Sequence, residues 1–136
     1  MQLHATTVAL NGQGLLILGP SGSGKSTLAL ELMAVGALLV ADDRTDLRLA
    51  DGRVMASAPQ AIRGRIEARG IGILRAGALD MAPLHLVVDL GQAEEDRLPQ
   101  SRTRDLLGMP LPLVFGPFRP HLYAALRQMM LFGRAD

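Results

Sequence analysis

The eight residues Gly19-Pro20-Ser21-Gly22-Ser23-Gly24-Lys25-Ser26 constrain this chain more than any other stretch. They follow an apolar run at 14–18 and precede a run at 26–35 that carries Leu28, Ala29, Leu32, Met33 and Val35 at near-helical spacing and is closed by Gly36. A G-x-x-x-x-G-K-[ST] sequence between a strand and a helix is a P-loop. Its glycines let successive backbone N–H groups turn toward one anion, and the helix N-terminus adds its dipole. In such a loop Lys25 reaches the β and γ phosphates of a nucleoside triphosphate, the Ser26 hydroxyl ligates a bridging Mg²⁺, and Thr27 lies beside the α phosphate. Lys25 is also the only lysine in the chain. The motif predicts phosphate binding and leaves open what is done with the phosphate.

The rest of the pattern is rich in strands. Asn11-Gly12-Gln13 separates the apolar runs 3–10 and 14–18, which predicts a β-hairpin directly before the glycine loop. Asp51-Gly52 separates 46–49 from 54–57 in the same way, so an all-parallel sheet is excluded and a mixed one is expected. Further strands are expected at 38–41, 71–74, 84–90 and 111–115. A closing helix is expected over 121–132, with apolar residues at 122, 125, 126, 129 and 130. Residues 92–104 are polar and charged without periodicity and read as an exposed or mobile loop. The fold class expected is therefore α/β, with a mixed sheet and two principal helices, in a single domain covering 1–136.

Composition narrows the function classes. A formal net charge of +1 provides no field to draw in a polyanion, so neither nucleic acid nor an acidic membrane is an expected partner. Absence of cysteine excludes disulfides and thiolate-bound metal, and no stretch has the order of a signal peptide, so the cytoplasm is the expected location. The longest apolar runs fall far short of the roughly 18 residues a membrane helix needs.

Phosphoryl transfer requires a carboxylate near Mg²⁺ and, for attack by a hydroxyl, one that accepts its proton. Two places offer this. The run 38–41 ends in Asp42-Asp43, and Leu86-Val87-Val88-Asp89 has the hydrophobic-then-Asp pattern of an ordinary P-loop NTPase. An isolated Asp-Asp pair commonly caps a turn, but a strand that follows the P-loop helix directly can bring its end to the phosphates.

These residues together resemble the catalytic domain of HPr kinase/phosphorylase, a bacterial enzyme that phosphorylates a serine of the phosphocarrier HPr. The resemblance runs through His4, the 19–26 loop, Ala29-Leu30-Glu31-Leu32 with Gly36, Val40-Ala41-Asp42-Asp43, and Ile66-Glu67-Ala68-Arg69-Gly70-Ile71-Gly72-Ile73, with Asp96-Arg97-Leu98 beyond. It implies a phosphoenolpyruvate carboxykinase-like fold, ATP and Mg²⁺ as cofactors, an HPr-like carrier as partner and a hexameric assembly. It implies that His4 is an active-site histidine, Lys25 the phosphate-binding lysine, Ser26 and Glu67 magnesium ligands, and Arg97 a catalytic arginine. Asp42 and Asp43 together form the implied acid/base site, and the sequence does not choose between them.

The resemblance also has breaks. The family's N-terminal domain has no counterpart here, its C-terminal helical part is longer, and its glycine-arginine-asparagine turn is replaced by Gly116-Pro117-Phe118-Arg119-Pro120. That turn is associated with dephosphorylation, so phosphorolysis is expected to be weaker than phosphorylation. The short form resembles a reduced version from some Gram-negative bacteria, with a partner from a nitrogen-type or incomplete phosphotransferase system. Two other readings stay open: a small-molecule kinase or NTPase that uses Asp89, and a nucleotide-sensing module that transfers nothing.

Overall fold

The computed structural model describes all 136 residues, from Met1 to Asp136. Strands β1 (Gln2–Leu3), β2 (Thr6–Leu10) and β3 (Gln13–Leu18) open the chain, and Asn11 (φ 50°) and Gly12 (φ 75°) make the two-residue turn between β2 and β3. Two positive φ values in succession are what such a turn requires and what Asn-Gly supplies most cheaply. The glycine loop follows, then helix α1 (Lys25–Ala34) and strand β4 (Leu38–Ala41). A second hairpin, β5 (Thr45–Ala50) and β6 (Arg53–Ser57), turns at Asp51 (φ 54°) and Gly52 (φ 73°). A third pairs β7 (Arg65–Ala68) with β8 (Gly72–Arg75) as a separate two-stranded sheet. The chain ends with the long β9 (Met81–Ala93), β10 (Arg102–Leu106), β11 (Met109–Gly116) and helix α2 (Leu122–Phe132).

Nine strands form one mixed sheet in which β9 is the hinge between two parts. Its first residues pair antiparallel with β6, Ala82 opposite Ala56, whereas residues from Leu84 to Asp89 pair parallel with β3, Leu18 opposite Asp89. On its other side β9 pairs parallel with β11, Phe115 opposite Asp89. The period of two decides the packing along β3 and along β9 beyond a register shift after Leu84, which puts Leu84 and Leu86 on opposite faces. Leu15, Ile17, Leu86 and Val88 join the core beneath α1 and α2, while Leu16, Leu18, Leu84 and Val87 join a second core on the opposite face with Val40, Leu47, Val54 and Leu106. Both faces of the central strands are covered, which is why these segments read as continuous apolar runs.

Strand direction then positions the site. β2 is antiparallel to both β3 and β4, so β3 and β4 run the same way and their C-terminal ends lie at one edge of the sheet. The N-terminal end of β2 lies at that same edge. The glycine loop after Leu18, the aspartates after Ala41 and His4 just before β2 are thereby gathered in one place.

The segment 92–104 departs from the expected loop. β9 continues to Ala93, and Arg102–Leu106 is a strand whose Arg102 faces Leu113 and whose Leu106 faces Met109. Ladder hydrogen bonds come from the backbone, so an edge strand keeps polar side chains in solvent; of β10 only Leu106 is buried. Its turn, Leu107 (φ 51°) and Gly108 (φ 82°), lacks the usual Asn or Asp signal. Strands β1 and β7 also went unread, the first because it is two residues long and the second because only Ile66 and Ala68 in it are buried.

Candidate functional site

Asp42 is the most fully engaged side chain at this edge. It is buried, and its Oδ1 accepts hydrogen bonds from Ser26 Oγ (2.6 Å) and Thr6 Oγ1 (3.0 Å), while Oδ2 accepts one from the backbone N–H of Glu67 (3.0 Å). One carboxylate thus ties α1, β2 and the β7–β8 hairpin together, which offsets the cost of burying it. Asp43 sits differently. It adopts a left-handed backbone conformation (φ 72°), its N–H donates to Thr6 Oγ1 (3.1 Å), and its exposed carboxylate meets His4 Nε2 at 2.5 Å.

Lys25 opens α1 and is also buried, with Nζ donating to the carbonyl oxygens of Gly19 (2.8 Å) and Pro20 (3.2 Å). The ammonium is thereby folded against the start of the loop. Glu67 and Arg69 reach the site because Ile66, fully buried, anchors β7 in the core that includes Leu28, Ala29 and Leu32 of α1. The result is a cavity of about 240 Å³, lined by Ser21, Gly22, Gly24, Lys25, Ser26, Thr27, Asp43, Glu67 and Arg69, with no apolar residue in its wall. Its hydroxyls, backbone amides, one ammonium and one guanidinium offer donors to an anion, while the carboxylates of Asp43 and Glu67 line the same wall.

Oxygen donors for a cation converge on the same spot. Ser26 and Asp42 are hydrogen-bonded to each other, and Glu67 follows at the point where its own N–H meets Asp42. No group of three or more His, Cys, Asp or Glu side chains forms a protein-only metal cage. A hydroxyl with one or two carboxylates fits Mg²⁺, which keeps several waters and takes further ligands from phosphates.

Of the residues singled out in the sequence, the structure brings together His4, the 19–27 loop with Lys25 and Ser26, Asp42, Asp43 and Glu67. Arg97 is exposed in the 94–101 segment and does not line the cavity. Asp89 lies within β9, opposite Leu18 before the loop, but its Oδ1 accepts from the N–H of Gly91 (2.9 Å), Arg104 lies 3.9 Å from its other oxygen, and it too is absent from the wall. Thr6 was missed: a threonine in an apolar strand carries no signal until the aspartates are seen to stand over it.

The fold and the cavity define a mixed α/β protein with a polar pocket beside the glycine loop at the end of its sheet. Residues 1–120 match the family model of the HPr Serine kinase C-terminal domain, and the chain belongs to that family. It is 36% identical to the HPr kinase/phosphorylase of Clostridium tetani, over 88% of this chain and 43% of that one, and 39% identical to that of Bordetella pertussis, over 80% and 40%. The chain therefore spans less than half the length of these relatives. A solved structure of the Hpr(Ser) kinase/phosphatase from Coxiella burnetii superposes with a TM-score of 0.81 at 27% identity, covering 96% of this chain and 88% of that one.

Proposed function

We propose that this chain is the catalytic domain of an ATP- and Mg²⁺-dependent protein-serine kinase acting on an HPr-like phosphocarrier. The observation that carries the reading is the division of labour between the two aspartates at the edge of one anion pocket. Asp42 has three hydrogen-bond donors on it, whereas Asp43 is exposed, lines the cavity and touches only His4 through its side chain.

In this reading the 19–27 loop is a P-loop, and its backbone amides hold the triphosphate. Lys25 exchanges the carbonyls of Gly19 and Pro20 for phosphate oxygens, a gain because charge-assisted bonds to an anion are the stronger ones. Ser26 and Glu67, with Asp42 behind Ser26, would hold Mg²⁺, which supplies charge neutralisation at the β and γ phosphates. Asp43, oriented by His4, accepts the proton of the carrier's serine as its Oγ bonds to the γ phosphorus and the bond to ADP breaks. Arg69 adds positive charge from the cavity wall, and Arg97 contributes only if the 94–101 segment moves inward.

The relatives are named kinase/phosphorylase or kinase/phosphatase, and the same residues support the reverse use. Inorganic phosphate would attack the phosphoserine, releasing pyrophosphate, with Asp43 returning the proton to the serine oxygen. Pro117 and Pro120 withhold backbone donors that a glycine-rich turn offers an anion, so this direction is the weaker one. A homo-oligomer, hexameric by family resemblance, is part of the proposal.

Labelled ATP incubated with purified HPr-like carrier, with and without added phosphate, tests the reading. Labelled carrier supports it, free phosphate alone points to an NTPase, and tight binding without turnover points to a nucleotide sensor.

A further inference from the structure

The glycine loop is seated between two apolar side chains that come from outside it. At its start, a β-carbon placed on Gly19 would collide with Oγ of Ser23 within the loop and lie 3.2 Å from Cβ of Leu90, within β9. At its end, one placed on Gly24 would lie 2.9 Å from Cγ and 3.1 Å from Cβ of Phe118. The two seats are themselves joined, because a β-carbon on Gly116 would lie 2.9 Å from Cα of Leu90 and 3.3 Å from the backbone nitrogen of Phe118. Phe118 is half-buried and packs against the core beneath α1.

Gly24 is the residue on which the loop depends at this end. It caps α1 in a left-handed conformation (φ 101°, ψ 17°); its carbonyl accepts from the Leu28 N–H (2.9 Å), and no side chain caps the helix there by a hydrogen bond. Glycine reaches that region without steric cost but leaves it as readily, so contacts with its surroundings decide how well it is held there. Here the surrounding body is the Phe118 ring, contributed by the segment that links β11 to α2.

From this contact we infer that Phe118 is a positioning residue for the nucleotide: it clamps Gly24 so that the amides and hydroxyls of residues 24–27 face the pocket before any ligand arrives. The inference rests on the nucleotide reading of the pocket and is independent of which protein accepts the phosphate. Preorganisation acts on affinity, since a loop already in its bound conformation loses less entropy on binding. Removing the ring therefore weakens ATP binding and leaves the acid/base step at Asp43 intact.

The test compares the parent chain with Phe118→Ala, Phe118→Leu and Tyr123→Ala. Tyr123 packs against the same core from α2, and none of its atoms is among those nearest Gly24. Three quantities are measured for each: the Kd for MgATP, amide hydrogen exchange over residues 19–26, and the melting temperature. Phe118→Ala is expected to raise the Kd about tenfold and to speed exchange in the loop, with Phe118→Leu restoring most of both. Tyr123→Ala lowers the melting temperature without either effect.

The inference is overturned if Phe118→Ala binds MgATP within about twofold of the parent, or if both alanine variants lose affinity in proportion to lost stability. Should the parent itself bind no MgATP, the nucleotide reading fails. Loop exchange then decides the clamp alone: faster in Phe118→Ala supports it, unchanged refutes it.

Discussion

The Ser26 hydroxyl donates a 2.6 Å hydrogen bond to Oδ1 of Asp42, a residue sixteen positions along the chain and on a different element. This bond joins the first turn of α1 to the end of β4 and fixes the relation between the glycine loop and the acidic pair. Since Thr6 and the Glu67 amide share the same carboxylate, Asp42 also ties β2 and the β7–β8 hairpin to this junction.

Asp42→Asn is therefore expected to be unstable as well as impaired. An amide NH₂ cannot accept from the donors that face the lost oxygen, and leaving a buried donor unpaired costs about 1–3 kcal/mol. Denaturant unfolding checks this; a variant as stable as the parent would contradict the network.

Asp43→Asn should separate from it cleanly. With the side chain exposed and bonded only to His4, stability and nucleotide affinity are expected to change little, while turnover onto the carrier falls by roughly 10²- to 10⁴-fold, the range for loss of a general base. Asp89→Asn should be mild on turnover. The reverse ranking in steady-state rates would assign the chemistry to β9 and sink the proposed mechanism.

Lys25→Ala is expected to abolish phosphoryl transfer to below about a tenth of the parent rate with the secondary structure retained, because the lost ammonium is the charge nearest the transferring phosphate. Turnover measured alongside circular dichroism decides it.

Ile66→Ala tests how the hairpin is held. The side chain is 1% exposed, and its truncation should cost about 2–5 kcal/mol of unfolding free energy. Because Glu67 and Arg69 ride on the same hairpin, Mg²⁺ dependence should weaken in the same variant, whereas Leu126→Ala, equally buried on α2, should lose stability alone. Equal Mg²⁺ titrations for the two would refute the link.

The Glu94–Arg102 pair makes a pH-dependent contact at the base of the 94–101 segment. Arg102 donates to both oxygens of Glu94 (3.2 and 2.9 Å) and stacks 4.4 Å from the centroid of the Phe115 ring. The Arg102 hydrogen bonds hold the Glu94 carboxyl below the ordinary carboxylate range. A lowered folded pKa means the contribution is present above the unfolded value and is lost as the pH falls through the folded one. Glu94→Gln should thus lower stability slightly at neutral pH and flatten its decline in acid, as read by melting curves across that range.

Much of this protein was legible in its residues one after another. Asn11-Gly12 and Asp51-Gly52 fixed two hairpins because their backbone preferences are local, and the 19–26 loop, helix α1 and the central strands followed from spacing alone. Polar β10 was not legible, since its strand conformation comes from pairing with β11, a partner that pattern cannot name. Likewise Thr6, Phe118 and the difference between Asp42 and Asp43 left no local trace. Adjacent identical residues differ only in what the fold puts against them: three donors for one, solvent and His4 for the other. Covalent order set the chemistry available to this chain, and strand direction, a long-range property of the sheet, decided which of those groups meet.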